Sequence, residues 1–315
     1  MYYTYKLFLI VLLLLLIILF IKYNIIEHFN DNSHLNLPLD LGNQLCVYFF
    51  NIGYLFLKNE PFIYNDHSEI YFMKDLPRHI DIDENIRNQL LENNFTIDEL
   101  NKENELTTYL GTWFILHERR EIYWNILKPL VHKILDETFI KCNLKKNINE
   151  IVIHYRCSDV PFIRHFQYHF IRYSFYTKAL ESVKELNIND IKLISCTSHH
   201  SGGEYSEKCS MYADSLSNHI STFGYTIKKE CNTMLDDFAT MFYAPVVICG
   251  PSSFSFMSGF FGDGKYICDT HYDANVNKKC NTCKNSWLNN NEYIIKHDEI
   301  SDYFNIENVI KILKS

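Results

Sequence analysis

Residues 151–159 read Ile-Val-Ile-His-Tyr-Arg-Cys-Ser-Asp, and residues 245–256 read Pro-Val-Val-Ile-Cys-Gly-Pro-Ser-Ser-Phe-Ser-Phe. Each is a short β-branched run that ends in a polar or turn-forming segment, the pattern of a buried strand entering a loop. Working outward, further strands are expected at 191–196, 225–228 and 265–268. Helices are expected at 173–184, 205–223, 234–242, 254–261 and, last, 302–313. Strands alternating with helices predict βαβ units and a parallel sheet, with ligands at the carboxyl ends of the strands.

Towards the N terminus, Gly42-Asn43-Gln44 opens an apolar stretch to Leu57 that reads as a buried helix. Residues 61–64 suit a strand and 83–105 surface helices. Residues 106–139 carry helix-period apolar positions with a break or kink at Pro129. The expected body is α/β in two halves, at 40–148 and 149–315.

Residues 7–21 are unbroken apolar sequence between Lys6 and Lys22, and continuing through Tyr23, Ile25 and Ile26 reaches the ~20 residues a membrane helix needs. Tyrosines at 2, 3, 5 and 23 suit the headgroup zone. No Ala-x-Ala-like cleavage site follows, so an uncleaved signal anchor is preferred to a cleaved signal peptide. The expected layout is a cytosolic tip and membrane span at 1–26, a polar stem at 27–39, then a lumenal body. That is a single-pass type II arrangement in the secretory pathway, in Golgi or ER.

With 47% hydrophobic and 22% charged residues, the 315-residue chain is not a disordered one. A net charge of −8 argues against nucleic acid, whose binders gain affinity from Lys and Arg on phosphates. Ten cysteines are too dilute for a disulfide-stapled scaffold, yet numerous enough to make the redox compartment matter.

Three segments carry candidate chemistry. After the 151–155 strand, Arg156 has the planar fork that grips a diphosphate, and Asp159 either orients it or takes a proton from a hydroxyl. A structural Arg–Asp pair beside a core His154 is the alternative. After the 246–249 strand, Ser252 and Ser253 open a helix whose free N–H groups suit a phosphate, although capping alone also explains them. Gly42 lets backbone approach a ligand closely, and Asn43 and Gln44 offer amides to sugar hydroxyls; a turn-and-cap is the equal reading.

Taken in order, these segments resemble a known family. Gly42-Asn43-Gln44-Leu45 resembles the Gly-Leu-Gly-Asn-Gln-Leu/Met start of the α-1,2-fucosyltransferases (glycosyltransferase family 11). His154 to Asp159 resembles the His-x-Arg-Arg-Gly-Asp motif shared by GDP-fucose-using transferases. Phe175 to Leu180 is similar to a Tyr-Tyr-x-x-Ala segment. Asp237 to Met241, followed by Ser252-Ser253-Phe254-Ser255-Phe256, is similar to the Asp-Leu-x-x-Met and Ser-Ser-Phe-Ser-Trp-Trp block. The resemblance implies a divergent member with a GT-B-like fold, two Rossmann-like domains facing a cleft, an acceptor-side domain at 40–148 and a nucleotide-sugar-binding domain at 149–315. It implies metal-independent, inverting transfer of fucose from a GDP-fucose donor to a glycan or glycoprotein hydroxyl, with no cofactor. It assigns Arg156, Asp159 and His154 to catalysis. Donor binding falls to Gly42, Asn43, Gln44, Arg156, Arg164, Asp237, Ser252, Ser253, Phe254 and Ser255.

The chain departs from the pattern at informative places. Cys157 replaces a second Arg, Ser158 replaces Gly, Phe256-Met257 replaces paired tryptophans, and Thr197-Ser198-His199-His200 stands where relatives carry acidic residues. Hence two alternatives: a degenerate transferase fold serving as a sugar-binding or scaffold protein, and a transferase using another nucleotide-sugar. His165 and His169 have a metal-like spacing, but Arg164 and Arg172 beside them disfavour a cation. Cys268-x2-His271 and Cys280-x2-Cys283 have zinc-ribbon-like spacing, with disulfides preferred in a lumenal body. Asn94-Phe95-Thr96 is a glycosylation sequon.

Overall fold

The structure is a computed structural model that describes residues 41–64, 71–100, 120–157, 170–196, 204–250, 252–269, 287–288, 293–295, 299–303 and 305–315. The expected membrane span and stem, Asp159, Arg164, His165, His169, residues 197–200, His271, Cys280 and Cys283 lie outside the described residues. In chain order the elements are α1 (Leu41–Leu57), β1 (Phe62–Ile63), β2 (His79–Ile80), α2 (Glu84–Glu92), α3 (Arg120–Lys141), β3 (Ile151–His154) and β4 (Phe170–Ile171). There follow α4 (Tyr173–Glu181), β5 (Asp190–Ile194), α5 (Glu204–Ser221), β6 (Thr226–Glu230), α6 (Met234–Phe242) and β7 (Val246–Cys249). The last are α7 (Ser253–Ser255), running into a π turn (Phe256–Phe260), then β8 (Lys265–Asp269), β9 (Trp287–Leu288), β10 (Ile294–Ile295) and α8 (Ile306–Lys314).

Six strands form one parallel sheet in the order β6-β5-β3-β7-β8-β9. Counted along the chain, that is third, second, first, fourth, fifth, sixth, the doubly wound order of a Rossmann-like sheet. Strand alternation sends neighbouring side chains to opposite faces. Ile151, Ile153, Leu193, Val246 and Ile248 pack with α4, α5 and α8 through Phe175, Ala179, Tyr212, Leu216, Val309 and Leu313. Val152, Ile194, Val247 and Cys249 pack on the other face with α1, α3, α6 and the π turn. All of β7 is buried, as a central strand covered on both sides must be. The outer strand β6 instead exposes Lys228 and Lys229, charges that keep a bare edge from pairing with another chain.

The described residues of the N-terminal half pack against the same sheet. They include α1–α3, a 3-10 turn (Tyr71–Asp75) and the antiparallel pair β1–β2. Helix α1 is apolar almost all round, with Leu45, Tyr48, Phe49, Phe50, Ile52 and Phe56 fully buried, and such a helix has to be covered on every side. It is therefore an inner layer of the sheet's own sandwich. Aromatic contacts tie the halves together: Phe72 to Phe238 at 6.4 Å, Phe139 to Phe238 at 5.7 Å and Trp124 to Phe261 at 5.6 Å. No break in the core marks the expected boundary at 148/149. Nor does Pro129 interrupt α3. Both Pro129 and Asn125, four residues earlier, lie on its exposed face, where water can satisfy the carbonyl left without a donor. Among the described residues no helix is long and apolar enough to cross a membrane.

Candidate functional site

Strand β3 and strand β7 are the central neighbours from which the chain winds outward in opposite directions. Ligands of such sheets sit beyond the carboxyl ends at that switch point. Both leading sequence motifs emerge there. His154 is the last residue of β3, paired in register with Cys249 at the end of β7. Continued alternation turns Tyr155 and Cys157 into the α4–α5 face, where both are buried. His154 and Arg156, half-buried, take the opposite face. The His154 ring lies 5.8 Å from Phe254, which in turn meets Phe238 at 5.2 Å.

Beyond β7, Gly250 leads to Ser252, whose backbone is extended before the chain turns into α7. The predicted donor-binding serines divide here. Ser255 is fully buried and its hydroxyl donates to the Ser252 carbonyl at 3.3 Å, so it serves the turn itself. Ser258 does the same one step on, donating to the Phe254 carbonyl at 2.9 Å. Ser252 and Ser253 stand at the start of the turn, with Phe254 half-buried beside them.

The third motif arrives from the other end of the chain. Gly42, in the first turn of α1, lies against the backbone of Ser253 and Phe254, and a Cβ there would come within 2.4 Å of the Phe254 amide nitrogen. The glycine is thus required by the contact between two helix starts, not by a simple turn. Asn43 is half-buried and Gln44 buried in the same turn. Three segments separated by up to about two hundred residues thus meet at one edge of the sheet: His154, Gly42, Ser253 and Phe254 are brought together, and Arg156 follows two residues after His154.

Asp237 belongs to a neighbouring position. It sits in α6, near the carboxyl ends of β5 and β6, and is only 2% exposed. Its carboxylate accepts from the Asn232 backbone N–H at 3.2 Å and from the Asn232 side-chain amide at 3.1 Å, fixing the β6–α6 turn. Burial raises its pKa above the ordinary carboxylate value; the Asn232 hydrogen bonds oppose that, while Glu230 and Asp236 add to it. Arg172 is likewise structural: it donates to the Ile312 carbonyl at 3.0 Å and pairs with Glu299 at 2.6 Å, holding the C-terminal helix.

Two disulfides escaped sequence reasoning, since ten cysteines do not specify their own connectivity. Cys157–Cys209 anchors the loop after β3 to α5, and Cys196–Cys231 joins the ends of β5 and β6. Cys157 is therefore a clamp on the loop that carries Arg156. The trio Cys196, Cys231 and Asp237 also has ligand atoms within 4.8 Å of one another, with both sulfurs consumed by their mutual bond. Cys268, whose spacing to His271 is zinc-ribbon-like, is a buried thiol in β8 that donates to the Gly250 carbonyl at 3.6 Å. Asn94 of the sequon is exposed in the turn after α2. No protein-family model, no curated protein and no solved structure matches this chain.

Proposed function

We propose that the chain is a nucleotide-sugar-dependent glycosyltransferase, transferring fucose from GDP-fucose to a glycan or glycoprotein hydroxyl with inversion. The observation that carries this reading is the meeting of His154, two residues before Arg156, with the Ser252–Phe254 turn at the switch point of the sheet. The GT-B-like comparison then concerns the C-terminal half, the part that binds the nucleotide-sugar in the family the sequence resembles. As the bond between sugar and diphosphate breaks, negative charge gathers on the departing phosphate oxygens. Arg156 offers a permanently charged, bidentate donor to that charge, and the N–H groups opening α7 add fixed dipoles. Charge neutralisation falls to these groups rather than to a metal. A base must take the proton of the attacking acceptor hydroxyl. His154, held against Phe254 on the same edge, is suited to that role, with Asp159 the other candidate from the sequence. The two disulfides fit the oxidising compartment that the type II anchor at 7–26 implies.

The test is a thermal-shift screen of the body, residues 30–315, against GDP-, UDP- and CMP-sugars, followed by transfer assays with the sugar that binds. GDP-fucose is expected to raise the melting temperature by mass action. Stabilisation by a different nucleotide-sugar reassigns the donor, and no stabilisation and no transfer with any of them ends the enzyme reading. The second reading, a non-catalytic sugar-binding protein, draws on Cys157: a disulfide occupies the position of the family's second arginine. An acceptor glycan that binds equally well to wild type and Arg156→Ala, with no turnover by either, selects it.

A further inference from the structure

The two disulfides differ in a way that structure alone does not demand. Cys157 is 2% exposed and Cys209 not at all, so no external thiol reaches that bond without unfolding. Cys231 is exposed, Cys196 half-buried, and Cys196 Sγ lies 3.4 Å from Asp237 Oδ2. A sulfur in a disulfide has no proton to donate, so this contact stabilises nothing in the oxidised state. Asp237 is itself deeply buried. Among the described residues no Lys, Arg or His pairs with it; the nearby charges are Glu230 and Asp236, themselves paired with Lys228 and Lys146. A buried carboxyl without a counter-charge favours its neutral, proton-bearing form.

The geometry points to a second reactive centre: Cys196–Cys231 is a thiol–disulfide exchange site for a dithiol reductant, with Asp237 as its general acid. An external thiolate attacks the exposed Cys231 Sγ, forming a mixed disulfide as the Cys196–Cys231 bond breaks. The electron pair leaves on Cys196 Sγ, and the proton of the Asp237 carboxyl goes to it. The reductant's second thiolate then attacks its own sulfur in the mixed disulfide, closing a cyclic disulfide. Cys231 is released as a thiolate that takes a proton from water. The protein gains two electrons, the reductant loses two, and Asp237 regains its proton from solvent. Leaving-group stabilisation is what sets the speed of such exchange, which is why a proton donor at the buried sulfur matters. Opening the bond frees the ends of β5 and β6 from each other, one strand away from the Arg156 edge. The inference does not rest on glycosyl transfer.

The experiment treats the native full chain with limiting dithiothreitol, quenches with an alkylating agent and maps cysteines by mass spectrometry. Cys196 and Cys231 are expected to label first, with Cys157–Cys209 intact. Asp237→Asn, which keeps an acceptor for Asn232, is expected to slow opening by about tenfold or more, in line with general-acid contributions. In the wild type, the rate per reductant thiolate is expected to fall as pH rises and Asp237 loses its proton; in Asp237→Asn it is flat. This pH profile needs only the wild type should the variant misfold. Equal opening of both disulfides, Cys157–Cys209 opening first, a pH-independent wild-type rate, or a folded Asp237→Asn that opens at the wild-type rate overturns the proposal.

Discussion

The two faces of the sheet use the same alternating strands but are covered in opposite manners. On one, α4 and α5 are the crossover helices of their own βαβ units, and α8 joins them from later in the chain. On the other, α6 and the π turn are local, but α1 and α3 come from residues about ten to two hundred positions before the strands they cover. The local face ends in a buried clamp, Cys157–Cys209, while the distant face holds His154, Phe254, Gly42, Asp237 and the exposed disulfide. Chemistry-bearing side chains gather where cover is assembled from remote segments, because only there do independent chain ends abut the strand termini.

Removing the clamp tests the passive face and carries the largest expected effect. Cys157→Ser with Cys209→Ser releases a cross-link spanning 52 residues, and chain-entropy reasoning values such a loop at about 4 kcal/mol. Urea unfolding of wild type and the double variant should differ by that order. A loss near zero would mean that the loop bearing Arg156 is held by packing alone.

Arg156→Ala probes the other face and separates function from stability. Turnover with the donor found by thermal shift is expected to fall about 100- to 1000-fold, some 3–4 kcal/mol of barrier, the usual consequence of removing one preorganised donor. The urea midpoint should hardly move, since Arg156 is half-buried and outside both apolar cores. A stability loss as large as that of the cysteine pair would make Arg156 a structural residue.

Gly42→Ala comes next. The added methyl must displace backbone at 2.4 Å, which no side-chain rotation relieves, and overpacking of this kind costs about 1–3 kcal/mol. Gly224→Ala is the companion variant: nothing lies within 4 Å, and its cost is the left-handed backbone at φ +88°. Only the Gly42 variant should also weaken donor binding, because it separates α1 from the Ser252–Phe254 turn.

Much of this architecture was legible before any coordinates. The runs at 151–155 and 246–249 are β-branched and bounded by turn residues, so period and punctuation agree, and both proved to be central strands. Alternation with helices of suitable length pointed to a parallel sheet; the order of its strands, and with it the switch point, comes from the structure. What escaped the sequence was non-local. Nothing in the spacing of Cys157 and Cys209, or of Cys196 and Cys231, distinguishes those pairs from the many others that ten cysteines allow. The all-round apolarity of α1 identified a buried helix but not what buried it. Gly42 was read as a ligand or turn residue because a backbone contact across about two hundred residues leaves no local trace.

Asp237 supplies the smallest and most discriminating comparison, since one carboxyl is asked to fit a stability argument and a reactive one. Its folded pKa is raised, so the folded state holds that proton more tightly than the unfolded chain. The stability it contributes is therefore complete below the unfolded carboxylate pKa and is lost as pH rises through the folded value. Asp237→Asn, neutral at every pH, should match the wild type in acid and exceed it slightly near neutrality, by less than about 1 kcal/mol because Asn232 already solvates the ion. The measurement is urea unfolding of both proteins across that pH range, with the disulfides intact. A variant less stable than wild type at neutral pH would mean the ionised carboxylate is the form the fold prefers. Such a group has no proton to give Cys196, so the same curve that measures its burial decides whether the distant face carries an acid at all.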